Sequence, residues 1–227
     1  MPSLSQLLTS HDRLLVLDAA STSVQVGLLQ RGSPALWQST PDEAGTGIFV
    51  GIQGLLTSTN LKLEMIDAFL FCEGPGSMLG TRTVAMAIRT WQTLVPRPAY
   101  AYQSLAVAAH FEWSRRVARS FTLIADARRE TWHCQSISSS GQTAPLERRA
   151  AVDLPAGELV SPASFRAWAQ PPRPVGSCGY ELAEIFPSLA DADFFRLVES
   201  PNAFQHDTPE YKKWSAQVHS SATTDIK

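Results

Sequence analysis

The chain has 227 residues, 44% of them hydrophobic and 18% charged, which is the make-up of a folded protein with a sizeable core and excludes wholesale disorder. Its length suits two compact α/β domains of roughly 100 residues each. A formal net charge of -2 excludes a generally basic nucleic-acid-binding surface; the local run Arg115, Arg116 and Arg119 reads as a solvated face.

Met1 to Arg13 reads as a polar leader, without the basic start, apolar stretch and cleavage site of a secretory signal. No apolar run reaches the roughly 18 residues that a membrane helix needs. Cys72, Cys134 and Cys178 show no C-x-x-C spacing, so neither a disulfide framework nor a zinc knuckle is expected, and a reducing compartment is. These features lead to a cytoplasmic protein with no membrane association.

Leu14 to Leu17 is apolar on both faces, as a central strand covered on each side would be. Asp18 to Thr22 turns the chain. Val24, Val26 and Leu28 then alternate with Ser23, Gln25 and Gly27, and Arg31-Gly32 offers a hairpin into Pro34 to Gln38, completing a three-stranded meander. Ile48, Phe49, Ile52, Leu55 and Leu56 recur at helical spacing, with Asn60 as a stop before a buried strand at Ile66 to Phe71. Val84 to Val95 carries a second helical stripe, ended by Pro96 and Pro98. Its opposite face, Arg82, Met86, Arg89 and Thr93 at i, i+4, i+7 and i+11, is either solvated or the side that meets a partner helix. Tyr100 to Tyr102 is a candidate strand, and Ser104 a candidate cap for a helix from Leu105 to Trp113.

The second half echoes the first. Leu123-Ile124-Ala125-Asp126-Ala127 repeats the pattern of Val16-Leu17-Asp18-Ala19, and a strand follows at Thr131 to Ile137, as two copies of one unit would give. Ser164 to Ala169 is expected to be helical, Val175 to Cys178 a short strand and Tyr180 to Phe186 a short helix. The tail from His206 is polar, and its last dozen residues are expected to be poorly ordered.

The segment Glu73 to Arg82, with Gly74, Pro75, Gly76, Ser77 and Gly80, must reverse the chain between a buried strand and a helix. It either cradles an anion at the helix N-terminus or lets the helix pack unusually close to another surface. Gly76 and Gly80 are too close for a Walker loop and no lysine follows; Gly74, Gly76 and Gly80 also miss the dinucleotide spacing. Ser77 lacks the flanking glycines of a nucleophile elbow and is assigned as a cap or turn residue. The histidines form no metal motif, and His133 and Cys134, adjacent in a strand, face opposite ways. Asp18 and Asp126 each end an apolar strand, where a carboxylate either caps the turn or holds a hydrated magnesium beside a phosphate. Ala19 and Ala20 stand where a glycine would admit phosphate, so nucleotide binding there is expected to be weak.

These residues resemble the TsaB family, also called YeaZ: a strand ending in Asp (Leu14 to Thr22), a G-P-G-S-x-x-G-x-R loop (Gly74 to Arg82), and a later D-A-R segment with a glutamate close behind (Asp126 to Glu130). The resemblance spans most of Leu14 to Trp132; the second half diverges. It implies an α/β fold of two ribonuclease-H-like domains of the actin, hexokinase and Hsp70 superfamily, each a mixed sheet with flanking helices, the second reduced. The expected boundaries are residues 1–103, 104–205 and a polar tail, 206–227. It further implies a non-catalytic scaffold for tRNA threonylcarbamoyladenosine synthesis, paired with a TsaD-like catalytic subunit and joined by a TsaE-like ATPase. No metal and no tightly bound cofactor are expected, with ATP or ADP and magnesium entering only in the assembled complex, and tRNA is reached indirectly. The implied partner surface is Ile48, Ile52, Leu55, Arg82, Met86, Arg89 and Thr93, shared with a second copy when the chain is alone. The alternative is a small-molecule kinase-like enzyme of the same superfamily using the cleft between the domains; a metallopeptidase has no motif in its support.

Overall fold

The computed structural model describes residues 1–116 and 119–205; the expectation for the tail from His206 lies outside the described residues. The first feature was missed by the sequence reading. Leu4–Ser10 forms helix α1, started by a capping box in which Ser3 Oγ accepts the Gln6 N–H and Gln6 Oε1 accepts the Ser3 N–H. The signal was present as S-x-x-Q ahead of Leu7 and Leu8, and Leu4 and Leu7 are buried.

The meander follows as β1 (Arg13–Asp18), β2 (Val24–Gln30) and β3 (Leu36–Thr40), then α2 (Ala44–Ser58), β4 (Ala68–Gly74), α3 (Met78–Leu94) and β5 (Ala99–Gln103). Strand β1 pairs antiparallel with β2 and parallel with β4, giving the order β3-β2-β1-β4-β5. Alternation along β1 sends Leu15 and Leu17 to the face covered by α2 and α3, and Leu14 and Val16 to the opposite face. Asn60, the expected stop, has φ of 52°, a left-handed conformation that asparagine tolerates after a helix.

Helix α4 (Ser104–Arg115) contacts strands of both sheets. It leads to β6 (Phe121–Asp126), β7 (Thr131–Ile137), β8 (Glu147–Ala150), β9 (Leu159–Pro162) and β10 (Gly176–Cys178). The second sheet runs β10-β9-β6-β7-β8, with β6 antiparallel to β7 and parallel to β9. Strand for strand this is the order and sense of the first sheet, so the short echo at Asp18 and Asp126 marks a repeated topology. The second copy is reduced: Ala151–Asp153 makes a single 3-10 turn where the first sheet has α2, and residues 163–175 make a loop where it has α3.

The helix expected at Ser164 to Ala169 is therefore a loop. Apolar spacing misled there because Trp168 and Ala169 donate their backbone N–H groups to Asp126. Helix α5 (Leu182–Ile185) and strand β11 (Arg196–Val198) close the described chain, and β11 pairs with β5 at the edge of the first sheet. Arg196–Val198 thus belong to the sheet of the first half. One apolar cluster joins Leu14, Val16 and Leu70 to Leu123, Val160 and Leu182, so the halves share a core. No helix among the described residues is long and apolar enough to cross a membrane.

The basic run before β6 is largely consumed locally: Arg116 pairs with Glu112 and Glu158, and Arg115 approaches Glu184. All three cysteines are reduced and buried. Burial pushes the Cys134 thiol up to about 11 and that of Cys178 up to about 12, so neither is a reactive thiolate at neutral pH.

Candidate functional site

Asp18, at the turn after β1, is the centre of a buried polar cluster. Asp18 has no exposed surface. Its Oδ1 accepts the Ala20 N–H at 2.8 Å, closing an Asx turn, and its Oδ2 accepts the hydroxyls of Tyr102 at 2.8 Å and Tyr180 at 2.7 Å. Burial pushes the carboxyl above its ordinary value, against the pull of the hydrogen bonds it accepts. The same burial, with the Asp18 charge alongside, holds Tyr102, Tyr180 and Cys72 well above their usual values.

Two further ties fasten the second half here. Gln25 of β2, also buried, donates Nε2 to the Tyr180 carbonyl at 2.8 Å and accepts the Leu182 N–H at 2.7 Å. The Thr22 N–H donates to the Ser164 carbonyl at 2.7 Å. A hydrated magnesium needs carboxylate lone pairs that face water or phosphate. Those of Asp18 are occupied and enclosed, so the residues present do not fit such an ion.

Asp126 repeats the turn in the second sheet. Its Oδ1 accepts the Arg128 N–H at 2.6 Å, the counterpart of Ala20, while Oδ2 accepts the N–H groups of Trp168 at 2.6 Å and Ala169 at 2.8 Å. Partial burial would raise this carboxyl, but the three backbone donors and the Arg128 charge hold it below its ordinary value. Its oxygens also serve the fold, and they do not fit a magnesium site either. Among the described residues there is no cluster of three or more histidine, cysteine, aspartate or glutamate side chains able to hold a metal ion.

The glycine loop lies directly on the Asp18 turn. Ser77 caps α3, its Oγ accepting the Gly80 N–H at 3.2 Å, and its own N–H donates to the Ala20 carbonyl at 2.7 Å. A Cβ at Gly76 would come within 2.3 Å of the Ala20 carbonyl oxygen, and one at Gly80 within 2.0 Å of the Ala19 oxygen. Of the two readings of this loop, close packing is the one the geometry supports. Ser104, expected as a helix cap, instead sits inside the first turn of α4 and donates Oγ to the Pro75 carbonyl at 2.5 Å. Glu73, ahead of the loop, is raised by burial, partly offset by the Arg196 guanidinium 2.6 Å away and by Gln103. Beside the loop, Met78 and Arg82 line a cleft of about 240 Å3 together with Ala127 and His133.

The chain matches no family model and no curated protein. Among solved structures it matches two from Pseudomonas aeruginosa, one described as YeaZ and one as an uncharacterized protein with similarity to peptidase YeaZ. Each aligns with a TM-score of 0.61 at 22% identity, over 79% of this chain and 90% of the other. The fold is that of YeaZ. At this identity the likeness to YeaZ establishes architecture, and function must be argued from the site.

On this YeaZ-like scaffold the expected partner residues separate into two groups. Arg82, Met86, Arg89 and Thr93 form an exposed stripe along α3, with Met86 54% exposed and Arg89 Nη1 3.9 Å from its sulfur. Ile48, Ile52 and Leu55 do not join them. All three are buried under α2 against the sheet, where Gly47 and Gly51 bring the helix close to Val24 and Val26. Facing outward on α2 are Phe49, 51% exposed, and Val50, 55% exposed. The Phe49 ring stands edge-on to Trp91 of α3 at 6.2 Å, so the two helices are neighbours that share an outer surface. Sequence reasoning grouped Phe49 with Ile48, Ile52 and Leu55 in one helical stripe; the glycines at 47 and 51 were the signal for the true inward side.

Proposed function

We propose that this chain is a non-catalytic, cytoplasmic scaffold subunit of a complex that makes threonylcarbamoyladenosine in tRNA, docking its α2–α3 face onto a TsaD-like catalytic subunit. The observation that carries the reading is the closure of the interior around Asp18. In a fold whose two halves are built to face each other across a cleft, the strand-end carboxylate is spent on Tyr102, Tyr180 and the Ala20 N–H, and the loop amides of Ser77 and Gly80 on Ala20 and the helix cap. A kinase-like enzyme would need those groups for a metal-bound phosphate. What remains outward is an apolar and cationic helix face, Phe49, Val50, Met86 and Arg89, with the composition of an interface core and rim. A TsaE-like ATPase would join the pair, a second copy would occupy the same face when the partner is absent, and ATP or ADP with magnesium would enter only in the assembly.

Co-purification with the host's TsaD-like protein tests the pairing, and mass spectrometry of tRNA nucleosides after depletion tests the role. Threonylcarbamoyladenosine is expected to fall sharply; normal levels after complete loss of the chain would sink the reading. Met86→Asp supplies the interface test. Its side chain is more than half exposed and belongs to none of the apolar core clusters, so the unfolding free energy should stay within about 0.5 kcal/mol of the parent. A charge placed in a desolvated contact should weaken association at least about tenfold, and unchanged elution with the partner would exclude this face.

A further inference from the structure

The turn between β6 and β7 is the least ordinary backbone among the described residues. Arg128, Arg129 and Glu130 have φ of 68°, 52° and 57° in succession, and none is a glycine. Such conformations persist only where the surroundings hold them, and here Asp126 does so through the Arg128 N–H. The turn sets two adjacent arginines on the rim of an open surface cleft of about 820 Å3. Neither is ion-paired among the described residues.

Across the rim, Trp168 is 51% exposed, and the Arg128 guanidinium lies 4.0 Å above its ring. Asp126 binds both walls at once, taking the Arg128 N–H from one side and the Trp168 and Ala169 N–H groups from the other. In the lining, Trp132 is 2% exposed and its indole N–H has no acceptor. Glu130 and Gln170 complete the rim and provide acceptors for amino groups. The cleft shares no lining residue with the one beside the glycine loop.

Stacked arginine and tryptophan planes beside an unpaired second arginine match the two parts of a nucleotide, a flat base and an anionic phosphate. An acidic peptide would use the charges and leave the stacking plane idle. We propose that this cleft binds a nucleotide unit of single-stranded RNA, with the base continuing the Trp168–Arg128 stack and the phosphates on Arg128 and Arg129. This goes beyond the pairing proposed above, which needs no direct RNA contact.

The test is fluorescence anisotropy of a labelled, unstructured RNA of about 12 nucleotides titrated with the full chain at about 50 and 200 mM salt. Binding that weakens with salt is expected. Arg128→Ala with Arg129→Ala should lower affinity at least about tenfold and flatten the salt slope by about one unit. Trp168→Ala should cost about fivefold or more with less change in slope. Arg128→Lys with Arg129→Lys retains both charges, so it should restore most of the salt slope while leaving affinity below the parent through loss of the stack; circular dichroism of each variant verifies folding. Competition by UMP with the same sensitivity to the substitutions would keep the chemistry and identify a free nucleotide as the source. Absence of RNA binding at the lower salt, or equal binding by parent and folded variants, overturns the proposal. Because the assay uses the chain alone, its outcome is independent of whether the TsaD-like pairing stands.

Discussion

Gly80→Ala is expected to destabilise the protein by about 3 kcal/mol, the upper end of the usual cost of overpacking. The added methyl would stand 2.0 Å from the Ala19 carbonyl oxygen, and that neighbour is backbone, in the turn that follows β1 and is closed by the Ala20 N–H donating to Asp18. A flexible side chain could turn away; a buried backbone turn at the end of a central strand cannot. Relief would require α3 to lift from the Asp18 turn, parting the Ser77 N–H from the Ala20 carbonyl. Gly45→Ala is the matched control, since nothing lies within 4 Å of a Cβ there and alanine favours the first turn of α2, so a gain of up to about 1 kcal/mol is expected. Denaturant midpoints compare the two. Parent-like stability of Gly80→Ala would show that α3 does not depend on this close approach.

That contact explains how much of the site was legible in advance. The glycines of the 74–80 segment were readable as a constraint, because three glycines and a proline between a buried strand and a helix demand a special turn. Which constraint they met was not, since the surface they approach is Ala20, 56 residues before Gly76, and Ala19, 61 residues before Gly80. The meander, α3 and β4 were legible for local reasons: β1 and β4 are unbroken apolar runs, β2 alternates, α3 has helical spacing, and Arg31-Gly32 marks the turn into β3. Strands β8, β9 and β11 were not; none displays a period in its four residues or fewer, and they form only when a neighbouring strand supplies partners.

The same distinction separates the two faces of α2. Helical spacing correctly found a stripe, yet burial of that stripe is what removes Ile48, Ile52 and Leu55 from any partner. An apolar period marks the side a helix hides, whereas an interface must be sought in the apolar residues that break the period, here Phe49 and Val50. The tyrosines holding Asp18 carried no local signal at all. Tyr102 and Tyr180 lie 84 and 162 residues away, and only the closure of both sheets around α4 brings them to one carboxylate.

Asp18→Ala is expected to cost at least about 3 kcal/mol at neutral pH, because it leaves the Ala20 N–H and two buried tyrosine hydroxyls without their acceptor, at roughly 1–3 kcal/mol for each orphaned group. Asp18→Asn separates that loss from the charge. Its carbonyl can keep the Ala20 N–H while the hydroxyls rotate to accept from the amide, so it should fold with a smaller penalty. The penalty should also depend on pH in a fixed direction. The native carboxyl titrates above the ordinary 3.8, so between that value and its raised native value the folded protein retains a proton that the unfolded chain has released. Its contribution to stability is therefore fully present below about 3.8 and declines as pH rises through the native value. Asparagine has no proton to lose, and the advantage of the parent over Asp18→Asn should shrink across this window. Glu73, also raised, and Asp126, lowered, shift both proteins alike and cancel in the difference. Urea midpoints of the pair across acid to neutral pH provide the measurement; an advantage that grows with pH would mean that the tyrosine hydrogen bonds outweigh burial and that Asp18 is held as a stabilised carboxylate.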